Sequence, residues 1–293
     1  MKLLHIGLGK CGSTLLQQEI FPKISKFKNI SYIDIVKKLN IDKTKIKYHI
    51  LENQNKFEKK LPDSFILSYE GLFSHRWEFS RVFNSFEIIK KNFSSDTVVL
   101  IILRNPYELL NSIYCQSIQK AKIVKPENFF YISNDEEVRK NYKFNLYNFD
   151  YIKLISLYKS YFKKVIITKY EKLNDFSFLS EIFDLENSFI KEIKNRKRKI
   201  YNKSISSYGI KTFLALNNLV NLERNQQFIF NNIKQTDNPV LKLKNKILSQ
   251  LILRDFFQNK FDKIFPYKKY NFKKEYIPVD IDKMTDDYNN MKL

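Results

Sequence analysis

Only two cysteines, five glycines, seven prolines and one tryptophan occur in 293 residues. Cys11 and Cys115 do not build a disulfide framework, and with no C-x-x-C pair neither a thiolate metal site nor a redox dithiol is expected. The three histidines, His5, His49 and His75, lack the spacing of metal ligands. No apolar run reaches the length of a membrane span. The chain enters an apolar strand at once and reaches glycine by residue 7, so a cleavable signal peptide is not expected and a cytoplasmic protein is. So little glycine and proline excludes collagen-like and broadly disordered chains. At 43% hydrophobic residues the chain is able to bury a core.

What is abundant is positive charge: 52 Lys and Arg stand against 31 Asp and Glu, a net charge of +21. Such a balance favours anionic partners. Here the basic residues are spread along a chain rich in Lys, Asn, Ile, Phe and Tyr rather than gathered in a stripe, so general compositional drift explains them better than a polyanion surface. No nucleic-acid partner is expected. The basic run at 194–199 reads first as a solvated face.

Four short apolar runs read as buried strands: 2–9, 64–73, 97–106 and 163–173. The third, TVVLIILRNP, is continuous and β-branched, as in a parallel sheet covered on both faces. Asn105 then reads as a helix N-cap and Pro106 as the first helical residue. A helical pattern begins at Ser13 and is expected to stop at Pro22, and another covers 150–162. Strands alternating with helices predict an α/β domain with a mainly parallel sheet. Beyond about residue 187 the pattern turns helical, and from 274 it is polar. The expected organisation is one domain over 1–273 and a loosely attached tail over 274–293.

Three of the five glycines fall within six positions, in HIGLGKCGST (5–14). A strand that turns through glycines into a helix aims backbone N–H groups at one point, and the helix start adds about half a positive charge. That combination binds a phosphate or similar oxyanion. Gly7 and Gly12 keep the glycine spacing of the nucleoside-triphosphate loop G-x-x-x-x-G-K-[ST], but Ser13 stands where its lysine belongs and Lys10 lies inside the loop. The strand at 98–103 ends not in a metal-holding carboxylate but in Arg104, which repels a metal ion and forks onto phosphate oxygens. A metal-free oxyanion site is expected.

K-C-G-S-T-L-L at 10–16 resembles the 5′-phosphosulfate loop of the sulfotransferase family. R-N-P-Y-E-L-L-N-S-I-Y at 104–114 is similar to that family's 3′-phosphate motif, and Y-E-K-L at 170–173 to a Y-E-D-L that follows a late strand. The order and separations agree over about 1–175, and N-R-K-R-K-I-Y-N-K-S-I-S (195–206) is more loosely similar to a basic segment that closes over the cofactor. The resemblance implies a P-loop-like three-layer fold: a central mainly parallel sheet flanked by helices, with a helical C-terminal part. It also implies 3′-phosphoadenosine 5′-phosphosulfate as donor and 3′,5′-ADP as product, without a metal.

By that resemblance Lys10, Cys11, Gly12, Ser13, Thr14 and Leu15 hold the 5′ end, and Arg104 and Ser112 the 3′-phosphate, with Arg196 or Arg198 contributing. Lys10 is the candidate to neutralise or protonate the leaving oxygen. Glu70, in S-Y-E-G-L-F, is the first candidate for the base and His75 the second. Trp77 reads as a core residue before a sugar-stacking one. The acceptor, a carbohydrate, other small metabolite or lipid headgroup, stays open. So do two other readings: a P-loop small-molecule kinase needing ATP and Mg²⁺, and a basic nucleic-acid-binding module without catalysis.

Overall fold

The apolar runs read in the sequence become neighbouring strands of one parallel sheet. The computed structural model describes residues 1–33, 58, 61–73, 79–119, 124–134, 143–195, 204–220 and 267–291. Within them β1 (Lys2–Ile6), β2 (Ser31–Ile33), β3 (Phe65–Tyr69) and β4 (Val98–Leu103) lie in the main sheet. Two short strands, β5 (Phe130–Tyr131) and β6 (Phe144–Asn145), pair with each other, and β7 (Val165–Lys169) rejoins the main sheet. The order across it is β2-β3-β1-β4-β7, with every pairing parallel. β2, only SYI, is too short and too polar to stand out in the sequence.

Helices flank the sheet, as strands buried on both faces require. They are α1 (Ser13–Leu15, continuing to Lys28), α2 (Val82–Asn92), α3 (Pro106–Gln119), α4 (Tyr151–Lys159), α5 (Ser177–Phe183), α6 (Asn187–Asn195), α7 (Ser207–Val220) and α8 (Ile281–Asn290). Two caps follow the sequence directly. Asn105 Oδ1 accepts from Glu108 N–H at 3.2 Å ahead of α3, and Asp150 Oδ1 from Lys153 N–H at 3.0 Å ahead of α4.

Two local expectations are corrected. Pro22 does not end α1: the helix passes through a π-type stretch, Leu16–Ile20, and continues as Phe21–Lys28. Proline removes one backbone donor and crowds the carbonyl four residues earlier. The wider π turn just before it supplies the room. The polar segment from 274 is not loosely attached either. It forms α8, capped by Asp280 and packed against α3, with Ile277, Ile281 and Tyr288 buried. A few well-placed apolar side chains anchor a segment whose average polarity suggests solvent.

All five main strands run the same way, so the residue after each arrives at one edge. Gly7 follows β1, Glu70 follows β3, Arg104 follows β4 and Tyr170 follows β7. From β1 the chain leaves toward β2 and β3, and from β4 toward β7, so the connections diverge between β1 and β4. In open parallel sheets the crevice outside such a divergence is where ligands bind.

Beneath that edge lies a buried polar strip. His5 and Ser68 are register partners, with His5 Nδ1 2.6 Å from Ser68 Oγ, and Gln17 Nε2 of α1 donates to the same hydroxyl at 3.1 Å. Phe21, one helical turn after Gln17, meets the His5 ring edge-on. Full burial lowers the His5 pKa from 6.5 to about 3, which keeps the imidazole neutral. Between those values the unfolded chain binds the proton and the folded one does not. Stability from this site is therefore full above pH 6.5 and falls as pH drops toward 3, by up to about 1.4 kcal/mol per unit. Between pH 7 and pH 5 the wild type is expected to lose about 2 kcal/mol more unfolding free energy than a His5→Met variant, by urea denaturation. Parallel pH dependence in the two proteins would disprove the assignment.

Candidate functional site

The turn from β1 into α1 is built from buried and strained positions. Leu8 and Cys11 point inward, and Cys11 N–H closes a tight turn on the Leu8 carbonyl at 3.3 Å. Lys10 (φ 68°) and Gly12 (φ 81°) occupy the left-handed region. Glycine does so without strain, whereas lysine does not. The first bonds of α1 run from Leu15 and Leu16 N–H to the Gly12 carbonyl. The N–H groups ahead of them lie at the positive end of the helix. Ser13 Oγ is buried and without a hydrogen-bond partner among the described residues. A buried hydroxyl left so costs about 1–3 kcal/mol, and at a helix N-terminus an oxyanion is the natural group to satisfy it.

Arg104 holds this turn from the neighbouring strand. Its Nη1 donates to the Lys10 carbonyl at 3.1 Å, and its Nη2 lies 3.7 Å from Glu108 Oε2. The guanidinium stacks on the Tyr170 ring, 4.8 Å from the centroid, and Tyr151 donates from its hydroxyl to the Arg104 carbonyl at 2.8 Å. Sequence reasoning assigns Arg104 to phosphate. In the structure it pins the carbonyl of the strained Lys10.

Three side chains of Y-E-K-L, those of Tyr170, Glu171 and Leu173, have a task at the same edge. Tyr170 carries the Arg104 stack. Glu171 accepts from Asn105 N–H at 3.4 Å and from the Tyr288 hydroxyl of α8. Leu173 packs against Gly12 so closely that a Cβ there would lie 2.3 Å from its Cδ2 and 3.3 Å from Tyr170 Cε2. Burial and the Glu171 carboxylate hold the Tyr288 phenol far above its ordinary pKa, so it remains a donor.

The sheet edge brings Glu70 to the loop as well. A Cβ on Gly7 would come within 3.0 Å of Glu70 Cγ and 2.6 Å of Ser13 Oγ. Cys11 is fully buried, and desolvation raises its thiol well above the usual range; Arg104 lowers it, while Glu70 and Glu171 raise it further. It is a neutral wall of the site, not a nucleophile. Ser112 lies two turns along α3, largely buried. Glu108, Ser112 and Cys115 share one face of that helix. Burial pushes the Cys115 thiol up to about 12, and the Lys10, Lys269 and Arg104 cations each draw it down.

Of the residues expected from the sequence, Lys10, Cys11, Gly12, Ser13, Thr14, Leu15, Glu70, Arg104 and Ser112 belong to the loop, to the strand ends beside it or to the helix that follows β4. His75, Trp77, Arg196 and Arg198 lie outside the described residues. No protein-family model, curated protein or solved structure matches the chain.

Sequence reasoning missed Glu108, Lys269 and Tyr288. Glu108 had a signal, three residues after the cap Asn105. Lys269 and Tyr288 come from segments more than 150 residues away from their partners Glu108 and nearly 120 from Glu171, with nothing local to mark them. Gly12→Ala forces a side chain into the left-handed region and against Leu173. It is expected to cost about 1–3 kcal/mol of stability in chemical denaturation; an unchanged midpoint would argue against the loop conformation.

Proposed function

We propose that the chain is a sulfotransferase that uses 3′-phosphoadenosine 5′-phosphosulfate and works without a metal. One observation carries the reading: the strand beside the phosphate-type loop ends in a guanidinium bonded to that loop, where a triphosphate-hydrolysing site places a metal-holding carboxylate. The first-strand loop, the central position of β1 and the order of K-C-G-S-T-L-L, R-N-P-Y-E and Y-E-K-L along the chain support a P-loop-like fold of this type. The residues fit a nucleotide with two anionic ends. Ser13 Oγ is a buried hydroxyl without a partner among the described residues, the α1 start supplies N–H donors, and Arg104 and Ser112 lie on the neighbouring β4–α3 unit.

In this reading the backbone of Lys10–Leu15 and the Ser13 and Thr14 hydroxyls hold the 5′ end, while Arg104 and Ser112 hold the 3′-phosphate, joined by Arg196 or Arg198. The donor supplies an activated sulfonate. Lys10 Nζ neutralises charge on the leaving oxygen or protonates it. Glu70, whose side chain abuts Gly7, takes the acceptor's proton at a carboxylate oxygen, with His75 as the other candidate. The acceptor is a hydroxyl or amine, on a carbohydrate or other small metabolite. Among the described residues no helix is long and apolar enough to cross a membrane.

A second reading, a small-molecule kinase, rests on Glu70, a carboxylate at a strand end beside the loop that a Mg²⁺ ion would accept. Glu171 is already engaged by Asn105 and Tyr288, which leaves that reading with fewer ligands. Calorimetry separates the two. The sulfotransferase reading expects 3′,5′-ADP to bind at least about tenfold more tightly than ADP, one charge-assisted phosphate contact being worth that much, with no dependence on Mg²⁺. Mg²⁺-dependent preference for ADP would favour the kinase. In the active enzyme Lys10→Ala is expected to lower kcat by about 10²–10³, and near-normal turnover would remove Lys10 from the mechanism.

A further inference from the structure

Asn105 and Glu108 have the spacing of a capping box, in which the cap side chain takes the N–H three residues on and the carboxylate folds back onto the cap's own N–H. Half of the box is made, since Glu108 N–H donates to Asn105 Oδ1 at 3.2 Å. The other half is taken over by Glu171, which accepts from Asn105 N–H. The Glu108 carboxylate, relieved of that task, turns outward. Both of its oxygens lie 2.5 Å from Lys269 Nζ, and Oε2 lies 3.7 Å from Arg104 Nη2.

Lys269 arrives on a strap, residues 267–276, that crosses α3. Asn111 clasps the strap twice, donating from Nδ2 to the Tyr270 carbonyl at 2.7 Å and accepting at Oδ1 from Phe272 N–H at 3.1 Å. Tyr107 donates to the Phe272 carbonyl at 2.7 Å, and the Phe272 ring packs against Tyr114 and Phe130. The strap thus delivers an ammonium to the helix face that carries Ser112, where Arg104 and Lys10 also act on Cys115. Glu108 sits between two of these cations and is itself about a quarter exposed.

We propose that Glu108 is a built-in counter-ion of the Arg104–Ser112 anion site. It holds Lys269 in place as a further cation of that site, fastens the strap to α3, and competes with a bound phosphate group for Lys269 and Arg104. The proposal rests on the anion-site reading above. A pair between a half-exposed ammonium and a carboxylate about a quarter exposed is weak enough to exchange, and a phosphate near two negative charges is the stronger partner for the same two cations.

The experiment uses the full chain as wild type, Glu108→Gln and Lys269→Met. Affinity for 3′,5′-ADP is measured by calorimetry at low salt, and hydrogen exchange of 268–276 is measured in the free proteins. A residue with only a structural role would weaken binding when altered. Competition instead predicts that Glu108→Gln binds about 2–5-fold more tightly, that Lys269→Met binds more weakly, and that the strap exchanges faster in both variants. Unchanged or weaker binding in Glu108→Gln overturns the competition, and unchanged affinity in Lys269→Met removes Lys269 from the site. Should the wild type bind no 3′,5′-ADP, the anion-site reading and the competition fall together. The fastening is then decided by exchange alone: faster exchange of 268–276 in Glu108→Gln sustains it, and unchanged exchange overturns it.

Discussion

The hydrogen bond from Arg104 to the Lys10 carbonyl is the constraint on which the loop edge depends. It joins the ends of two adjacent strands at the point where their connections diverge. It also stabilises a lysine in a backbone region that lysine disfavours. The guanidinium keeps its place because Tyr170 lies under its plane and Glu108 lies beside it. Tyr170 keeps its place because Leu173, three residues on, is wedged against Gly12. Loop, strand end and turn therefore form a closed circuit of contacts, and the three segments of sequence that carry the family resemblance are its three members.

That circuit explains why residues of opposite charge crowd one edge of a strongly basic chain. Four of the parallel strands supply the next residue there: glycine after β1, glutamate after β3, arginine after β4 and tyrosine after β7. Buried thiols and phenols between them stay neutral, since desolvation holds Cys11, Tyr151 and Tyr288 far from their ionised forms. A low-dielectric wall strengthens whatever electrostatic contact a ligand makes. In the proposed sulfotransferase this is where an anionic nucleotide would replace internal pairings with its own, and Glu108 is the internal pairing best placed to be replaced.

Much of this was legible beforehand. The apolar runs marked β1, β3, β4 and β7, because a strand buried on both faces must be continuously apolar. The dipeptide Asn105-Pro106 marked the start of α3, because its cap and fixed φ are local chemistry. Where reading failed, a local signal met a tertiary answer. Pro22 signalled a stop, and a π turn admitted it. Polarity after 274 signalled a tail, yet three apolar side chains docked it as α8. The Arg104 side chain clamps the backbone of Lys10, a contact with no local signal.

The sequence by itself determined that the segments of β1, β3, β4 and β7 become strands and where the glycine turn lies, because those depend on neighbouring residues and on the backbone freedom of single positions. It also determined that a cation rather than a carboxylate follows β4. Only the tertiary structure decided that Glu70, Arg104 and Tyr170 meet at Gly7–Gly12, because parallel crossovers place successive strand ends together regardless of their separation in the chain. It alone decided that Glu171 takes the N–H that the capping pattern reserves for Glu108, freeing that carboxylate for Lys269. Such choices turn on competition among partners far apart in sequence, and no local pattern records who wins.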